Sequence, residues 1–221
     1  NWNIKCKVDR KKINSSFNNF SLNFGPQHPS AHGVLRLIIQ LNSEIINKVD
    51  VHIGYLHRGT EKLIENKNYL KNIPYFDRLD YVSMVNQEHT YCLCLENILG
   101  KKNIKSNIFL QRILFDELTR ILNHLLALSC HALDIGNMSP LFWAFEEREK
   151  IMEFYENLTG ARMHAVMYKP NKVNFNIFKK NIIENINNFS KNFFKTINEL
   201  NVILSFNRIW KKRLVGIGSY S

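Results

Sequence analysis

The loop NFGPQHPSAHGVLRL, residues 23–37, places two histidines four residues apart among prolines and glycines. An imidazole changes its charge near neutral pH, so His28 and His32 could each accept or donate a proton. The same side chains could instead cap strands or turns, and the loop taken alone slightly favours that structural role. The loop therefore contains two candidates for proton transfer whose use depends on the rest of the chain.

A second polar stretch, FDRLDYVSMVNQEH at residues 76–89, lies where the apolar spacing predicts a helix from Asp77 to Leu99. The hydroxyl of Tyr81 is a suitable donor to a carbonyl oxygen if packing holds it in place. Ion pairs on a solvent-facing side explain such residues in a helix of no special function, and the stretch alone favours that simpler interpretation. Its ionisable members are Asp77, Arg78, Asp80, Tyr81, Glu88 and His89.

Two further candidates stand near the ends of predicted helices. Asp134 follows an apolar helix close to His131, where a carboxylate either caps the helix or orients a histidine. Arg162 and His164 follow a helix stop in the stretch GARMHAVMY, and lone histidines in such places are mostly structural. None of these residues identifies a reaction by itself.

Several common kinds of site are missing from the sequence. It has no Gly-rich nucleotide loop, no nucleophilic serine elbow and no Cys/His set with zinc spacing. Its four cysteines form no CxxC pair, which favours free thiols in a reducing compartment. The net charge of +11 is concentrated in residues 1–24 and 169–221, and solvated helix faces explain it better than RNA binding does. No apolar run reaches the roughly 18 residues of a membrane span.

The sequence pattern predicts how these candidates are positioned. It indicates an α+β fold, with a small N-terminal antiparallel sheet followed by a helical bundle. Residues 1–16 are predicted to be a flexible basic arm. Residues 17–59 form the β region, with the loop 25–33 in its first half. Residues 60–221 form the bundle. Helices are predicted from Thr60 to about Leu70, a break at Pro74, and then over 77–99, 108–133, 139–160 and 177–206.

Six stretches taken together resemble one family. In order along the chain they are GPQHPSAHGVLRL, GYLHRGTEKL, YFDRLDYVSM, ELTRILNHLLAL, ALDIGNMSPLFWAFEEREKIMEFYE and TGARMHAV. This series is similar to the hydrogenase-like, quinone-binding core subunit of respiratory complex I, the proton-pumping NADH:ubiquinone oxidoreductase. The resemblance covers about residues 20–221 and implies the N-terminal half of the fold of a nickel–iron hydrogenase large subunit.

The related hydrogenases hold nickel partly through an Arg-x-Cys-Gly-x-Cys motif. The matching stretch here runs from Arg78 to Ser83, with Asp80 and Ser83 at the two cysteine positions and Tyr81 at the glycine position. Nickel in that setting needs soft thiolate ligands. The resemblance therefore implies no metal site in this chain, and the old metal pocket becomes a site for an organic oxidant.

The resemblance also implies roles for individual residues. Tyr81 is expected to bind one carbonyl of the ubiquinone headgroup, and His32 to face the headgroup from the sheet. Asp134 is expected to hold His32 and take part in proton delivery. His28 and Gly33 are expected to shape the quinone loop. A phenol and an imidazole suit a reduction that consumes two protons near neutral pH.

A tetranuclear iron–sulfur cluster is expected beside Arg78 and His164, bound by a neighbouring subunit. Positive charge or a protonatable group there stabilises the reduced cluster. By the same resemblance, this chain ligates no cofactor of its own and ubiquinone is a substrate. The expected partners are the other complex I core subunits, above all the one that holds the terminal cluster.

The chain is about half as long as members of that family. Either the subunit is split into two polypeptides, so that a second chain supplies the remainder, or only a part of it is present. This half is not expected to be stable alone. The expected location is the matrix side of the mitochondrial inner membrane, or alternatively the cytoplasmic face of a bacterial membrane. A non-catalytic paralogue with the same fold is the main alternative, and the presence of both His32 and Tyr81 speaks against it. The missing cysteine pair speaks against a hydrogenase.

Overall fold

A computed structural model describes residues 19–28, 34–43, 45–100, 104–175 and 181–217. The chain divides into two compact units, Asn1–Thr60 and Glu61–Ser221. The first contains a three-stranded sheet and the second is mainly helical. The predicted α+β class, a small antiparallel sheet followed by helices, is confirmed.

The sheet of the first unit is antiparallel, with its strands in chain order. Strand β1 spans Asn19–Phe24, β2 spans Arg36–Asn42 and β3 spans Ile45–His52. Runs of isoleucine, leucine and valine favour these extended segments. The turn between β2 and β3 passes through Ser43, which adopts a positive φ of 56°.

Gly25 is the residue at which the chain leaves β1 and begins the loop 25–33. Its φ is +85°, and a Cβ at this position would lie 2.0 Å from the carbonyl oxygen of Leu35. Only glycine fits such a close approach of two backbones. The close approach of the Leu35 backbone therefore requires a glycine directly after β1.

The second unit is held together by one main apolar core. Its central members include Val85, Phe115, Leu122, Ile151 and Tyr155, all fully buried. The elements around it are α1 (Thr60–Glu65), α2 (Tyr69–Asp77), α3 (Met84–Ile98), α4 (Ser106–Asp134), α5 (Ser139–Thr159), β4 (Tyr168–Lys169), β5 (Lys172–Val173), α6 (Ile182–Ser205) and α7 (Arg208–Leu214).

The predicted helix from Asp77 to Leu99 is wrong in its first part. Asp77 is the last residue of α2, and the chain turns through residues 78–83 before α3 begins. The cause is local, because Asp80 accepts a hydrogen bond from the Val82 backbone N–H through Oδ1 at 3.2 Å. Short polar side chains that bond the nearby backbone in this way favour turns over helix.

The predicted break at Pro74 is also wrong, since Pro74 lies inside α2. The long helices follow their apolar stripes more closely. Helix α4 extends the predicted 108–133 segment by a few residues. Helix α5 ends where expected, with Gly160 in the left-handed region at φ 84° and its N–H bonded to the Glu156 carbonyl at 2.8 Å. The hairpin of β4 and β5 and the helix α7 were not predicted.

Among the helices that the structure describes, none is both long and apolar enough to cross a membrane.

Candidate functional site

The loop candidates fall partly outside the described residues. His28 is described, half-buried, with its ring 4.0 Å from the ring of Phe24 between centroids. His32 and Gly33 lie outside the described ranges. The assignment of His32 to quinone contact, and of His28 and Gly33 to the loop, stays a prediction.

Tyr81 lies in the turn between α2 and α3 rather than on a helix, and it is half-buried. The residues at the two former cysteine positions have local partners. Asp80 bonds the backbone of its own turn, and buried Ser83 accepts a hydrogen bond from Asn123 of α4. No group of three or more metal-binding side chains occurs in the described part of the chain. Tyr81 therefore lies between two side chains that support the turn, one through a hydrogen bond within it and one through a hydrogen bond to α4.

Asp134 is the last residue of α4 and is exposed. Burial raises the pKa of the Cys130 thiol one turn earlier, and the Asp134 charge adds to that rise. The end of α4 meets α7, where Arg213 donates to the Ile135 carbonyl and the His131 ring packs edge-on against Trp210 at 5.4 Å. The proposed link between Asp134 and His32 is untested, because His32 is not described.

His164 contacts the buried carboxylate of Asp77, the residue that precedes the exposed Arg78. The Asp77 side chain is fully buried, and its Oδ2 lies 2.9 Å from Nδ1 of His164. Arg78 donates through Nη1 to the Pro74 carbonyl at 2.7 Å, which holds its charge near Asp77. Burial raises the pKa of Asp77, and the neighbouring His164 and Arg78 partly offset this rise.

A second buried carboxyl group, Glu88 of α3, lies against Asp77. Its Oε2 accepts the backbone N–H of Tyr168 at 3.1 Å. Burial raises the pKa of Glu88 to about 8, and the charge of Asp77 contributes to the same rise. Glu88 therefore holds a proton at neutral pH, which is unusual for a glutamate.

Tyr168 connects Glu88 to a further network. Its hydroxyl lies 3.0 Å from the Arg112 carbonyl oxygen and 3.1 Å from Oδ1 of Asp116, whose Oδ2 is 2.5 Å from Nδ1 of His89. The Arg112 guanidinium forms two hydrogen bonds to Glu96, of 3.1 and 2.7 Å. Burial alone would raise the pKa of Glu96, but the hydrogen bonds and charge of Arg112, together with the Asn171 N–H and the nearby His89, outweigh burial and lower the pKa.

The spacing of apolar residues in the sequence indicates that Glu88 is buried, although this was not predicted. Val85, Glu88, Cys92 and Leu95 follow one another at three- and four-residue spacing, so Glu88 occupies a core position of α3. A carboxyl group at a core position needs a proton or a partner. Glu88 was noted only as one polar residue of its stretch, and the contact with Asp77 depends on the break between α2 and α3.

The chain is similar to known proteins over almost its whole length. A family described as respiratory-chain NADH dehydrogenase, 49 Kd subunit, matches residues 134–221. The "NADH-ubiquinone oxidoreductase 49 kDa subunit" of Paramecium tetraurelia is 62% identical over 200 residues, which are 90% of this chain and 50% of that protein.

Two other relatives agree. The protein of the same name from Reclinomonas americana is 55% identical over 214 residues, 97% of this chain and 54% of that protein. The "NADH dehydrogenase [ubiquinone] iron-sulfur protein 2" of Arabidopsis thaliana is 55% identical over 201 residues, 91% of this chain and 50% of that protein. The chain spans about half the length of the curated relatives it matches.

Proposed function

We propose that this chain works as a quinone-binding subunit. It belongs to the family of the 49 kDa subunit of respiratory-chain NADH dehydrogenase and matches the amino-terminal part of that subunit. The chain forms one wall of the chamber in which ubiquinone is reduced, next to the terminal 4Fe-4S cluster of a neighbouring subunit. The observation that carries this proposal is the 62% identity over 90% of the chain. The geometry around Tyr81 and Asp77 supports it.

The turn 78–83 supplies the quinone contact. Asp80 accepts a hydrogen bond from the Val82 N–H inside the turn, and Ser83 at the end of the turn accepts one from Asn123. Both bonds support the backbone that carries the Tyr81 phenol. A phenol hydroxyl donates to a carbonyl oxygen and becomes a stronger donor as negative charge develops there. His32 contacts the headgroup and Asp134 assists proton delivery, as the family resemblance implies. The chain thus binds, orients and protonates the substrate, while electrons arrive from the cluster.

Arg78 and His164 form the side of the chain that faces the cluster. The contact of His164 with Asp77 supports this role, because Arg78 follows Asp77 in the chain and brings a positive charge near that ring. Positive charge near a cluster stabilises its reduced form. The cluster is held by the neighbouring subunit and not by this chain, whose own part is to set the charge beside it.

The exposed apolar face of the helical unit packs against further polypeptide of the complex. The chain spans about half the length of its relatives. Its last helices and their ends leave large apolar side chains in solvent, with Phe194, Phe206 and Val215 about 70% or more exposed. A groove of about 570 Å³ lies between α4, α6 and α7, lined by residues such as Leu128, Ile197, Leu200, Leu204 and Trp210. Apolar surface on this scale marks an interface.

Assembly with other complex I subunits places the chain in the peripheral arm on the matrix side of the mitochondrial inner membrane. The cytoplasmic face of a bacterial membrane is the alternative location. Co-purification with the complementary half and the cluster-bearing subunit supports this placement. A chain that purifies as a monomer with a cooperative melting transition contradicts it.

The function is tested with Tyr81→Phe in the assembled complex. Removal of one hydroxyl should lower NADH:quinone reductase activity by about a hundredfold, the size of a lost proton donor. Reduction of a water-soluble acceptor by NADH upstream of this chain should not change. The control is Tyr69→Phe on α2, where the side chain is 70% exposed. Unchanged quinone reduction by Tyr81→Phe removes Tyr81 from the site.

A further inference from the structure

Arg148 of α5 is a buried cation that forms no ion pair with a carboxylate among the described residues. It is 6% exposed, and its Nε is buried without a hydrogen-bond partner in the part of the chain that the structure describes. Burial lowers the pKa of the guanidinium, yet an arginine keeps its charge at physiological pH. A buried carboxyl group loses its charge by taking up a proton, but Arg148 has no such escape. Its charge therefore needs an anion.

The acidic neighbours of Arg148 on α5 already have partners. Glu147 accepts a hydrogen bond from Nζ of Lys150 at 2.8 Å, and Glu149 accepts one from Arg162 at 2.7 Å. The charge of Glu149 only partly offsets the effect of burial on the pKa of Arg148. Helix α5 therefore supplies no anion of its own for this guanidinium.

Arg112 shows how the same unit balances a buried arginine internally. Its guanidinium forms hydrogen bonds of 3.1 and 2.7 Å to Glu96, and both residues are buried. A buried charge without such a partner is strongly unfavourable. Arg148 has no counterpart of Glu96 in the described ranges, so we expect its anion to come from elsewhere.

The guanidinium of Arg148 lies near the surface, between α4 and α5. Its central carbon is 4.8 Å from the centroid of the Phe145 ring, whose face attracts a cation but carries no net charge. On the α4 side, burial and the charge of Asp134 raise the pKa of the Cys130 thiol, and the charge of Arg148 partly offsets this rise. Phe145 is exposed and Cys130 is half-buried, so a group from outside can approach Arg148 between them.

An exposed apolar stripe runs along α5 beside Arg148. Met138, Phe142 and Phe145 are spaced by four and three residues, which places them on one side of the helix. They are 54%, 64% and 42% exposed. Aromatic side chains, methionine and arginine are enriched at protein interfaces, where a few of them supply most of the binding energy. We call these four residues the α5 surface.

We propose that the α5 surface docks a segment of a neighbouring polypeptide of the complex, which packs apolar side chains on Phe142 and Phe145 and pairs one Asp or Glu carboxylate with Arg148. The planar guanidinium binds a carboxylate through two parallel hydrogen bonds. A second copy docked through the same surface would bring another buried cation, so charge complementarity selects an acidic partner. The inference rests on the proposed assembly into the complex but not on the quinone contact of Tyr81.

The partner is identified by photo-crosslinking with Arg148 left intact. Phe142→p-benzoylphenylalanine is assembled into the complex and irradiated, and the crosslinked peptides are mapped by mass spectrometry. We expect a peptide of another polypeptide, with an Asp or Glu close to the attachment site. Attachment to a lipid, to a second copy or another part of this chain, or to a peptide without an acid overturns the proposal, as does the absence of any crosslink.

The charge pair is then tested through release of that neighbour from the purified complex. Arg148→Met leaves the partner carboxylate buried without a cation, which should speed release by at least about thirtyfold. Arg148→Lys keeps the charge but loses the planar fork, so its release rate should lie between the two. The control is Arg120→Met, which removes an exposed cation of α4 and should not change the rate. Release of the neighbour from Arg148→Met at the wild-type rate refutes the pairing.

A double variant separates the pair from a general loss of folding. Neutralising the crosslinked carboxylate in the Arg148→Met background removes both charges, so the release rate should return close to that of the wild type. A rate that stays as high as in Arg148→Met contradicts the pairing. Absence of this chain from the purified complex would refute the proposed function as well. A complex that contains the chain and reduces quinone but shows no acidic neighbour at Phe142 refutes this inference alone.

Discussion

Helix α3 buries two glutamates, Glu88 and Glu96, and the structure treats them in opposite ways. Glu96 receives two hydrogen bonds from the buried Arg112, and its pKa is lowered. Glu88 lies beside Asp77 without a cation of its own, and burial raises its pKa to about 8. The same residue type on the same helix is therefore an ion-pair partner at one position and a carboxyl group with a raised pKa at the other.

The contrast separates a structural region from one whose charge can change. The Glu96 carboxylate has a matching cation in Arg112. Arg112 also donates to the Lys169 carbonyl and Glu96 accepts the Asn171 N–H, which fastens the β4–β5 hairpin to α3 and α4. Glu88 makes no ion pair among the described residues, and its neighbour Asp77 contacts the partly exposed His164. A buried carboxylate with a matching cation keeps one charge state, whereas a buried carboxyl group without one has a charge state that can change.

Replacement of Arg112, the cation that pairs with Glu96, should have the largest effect on stability. Arg112→Met leaves Glu96 buried and unpaired, which should lower the free energy of unfolding by about 3–5 kcal/mol. The yield and melting temperature of the assembled complex measure this loss. The matched control is Arg120→Met, where an exposed pair with Glu117 is broken and little should change. Similar melting of the two variants would refute the structural role of Arg112.

The two glutamates should also respond to pH with opposite signs. Glu88 has a folded pKa above its ordinary value of 4.5, so its contribution to stability is lost as the pH rises from about 4.5 to about 8. Glu96 has a lowered folded pKa, so its contribution is present above the ordinary value and lost as the pH falls through the folded pKa.

Glu88→Gln should remove the first of these dependences. Relative to the wild type, this variant should gain stability as the pH rises from about 5 to about 8, by at most about 1.4 kcal/mol per pH unit. Thermal melting of the complex over that range measures the trend. A difference between variant and wild type that stays constant with pH would show that Glu88 titrates normally.

The smallest effect is expected at the residue that links the two sites. Tyr168→Phe preserves the hydrogen bond from the Tyr168 backbone N–H to Glu88 but removes the hydrogen bond from its hydroxyl to Asp116. Asp116 still pairs with His89. The cost should be about 1 kcal/mol, the net value of one neutral hydrogen bond. Melting of the complex measures it, and the pH dependence of the cluster potential should stay unchanged. A shift of that potential would show that the two sites act as one.

Sequence reasoning predicted the elements whose signals are local. The β2–β3 pair follows from β-branched runs around a turn, and α4 and α5 follow from apolar stripes and from Gly160. The prediction was wrong after Asp77, because the residues on both sides favour helix while the Asp80 side chain stabilises a turn between them. Helix α7 and the β4–β5 hairpin were missed because they are short and gain their stability from packing.

The site was predictable only in part, for a related reason. The roles of Arg78 and His164 came from the family resemblance, because their residue types and spacing alone favoured structural roles. The contact of His164 with Asp77 joins residues 87 positions apart, and no local pattern shows such a contact. Glu88 was visible as an acid at a core position of α3, but the contribution of Asp77 to its raised pKa depends on the tertiary fold.

Photoaffinity labelling shows whether this chain forms a wall of the quinone chamber. A ubiquinone analogue with a photoreactive headgroup is added to the assembled complex, and labelled peptides are mapped by mass spectrometry. We expect label in the turn 78–83, around Tyr81, that excess unmodified ubiquinone suppresses. Label confined to other subunits, or label in this chain that ubiquinone does not displace, would contradict the proposed function.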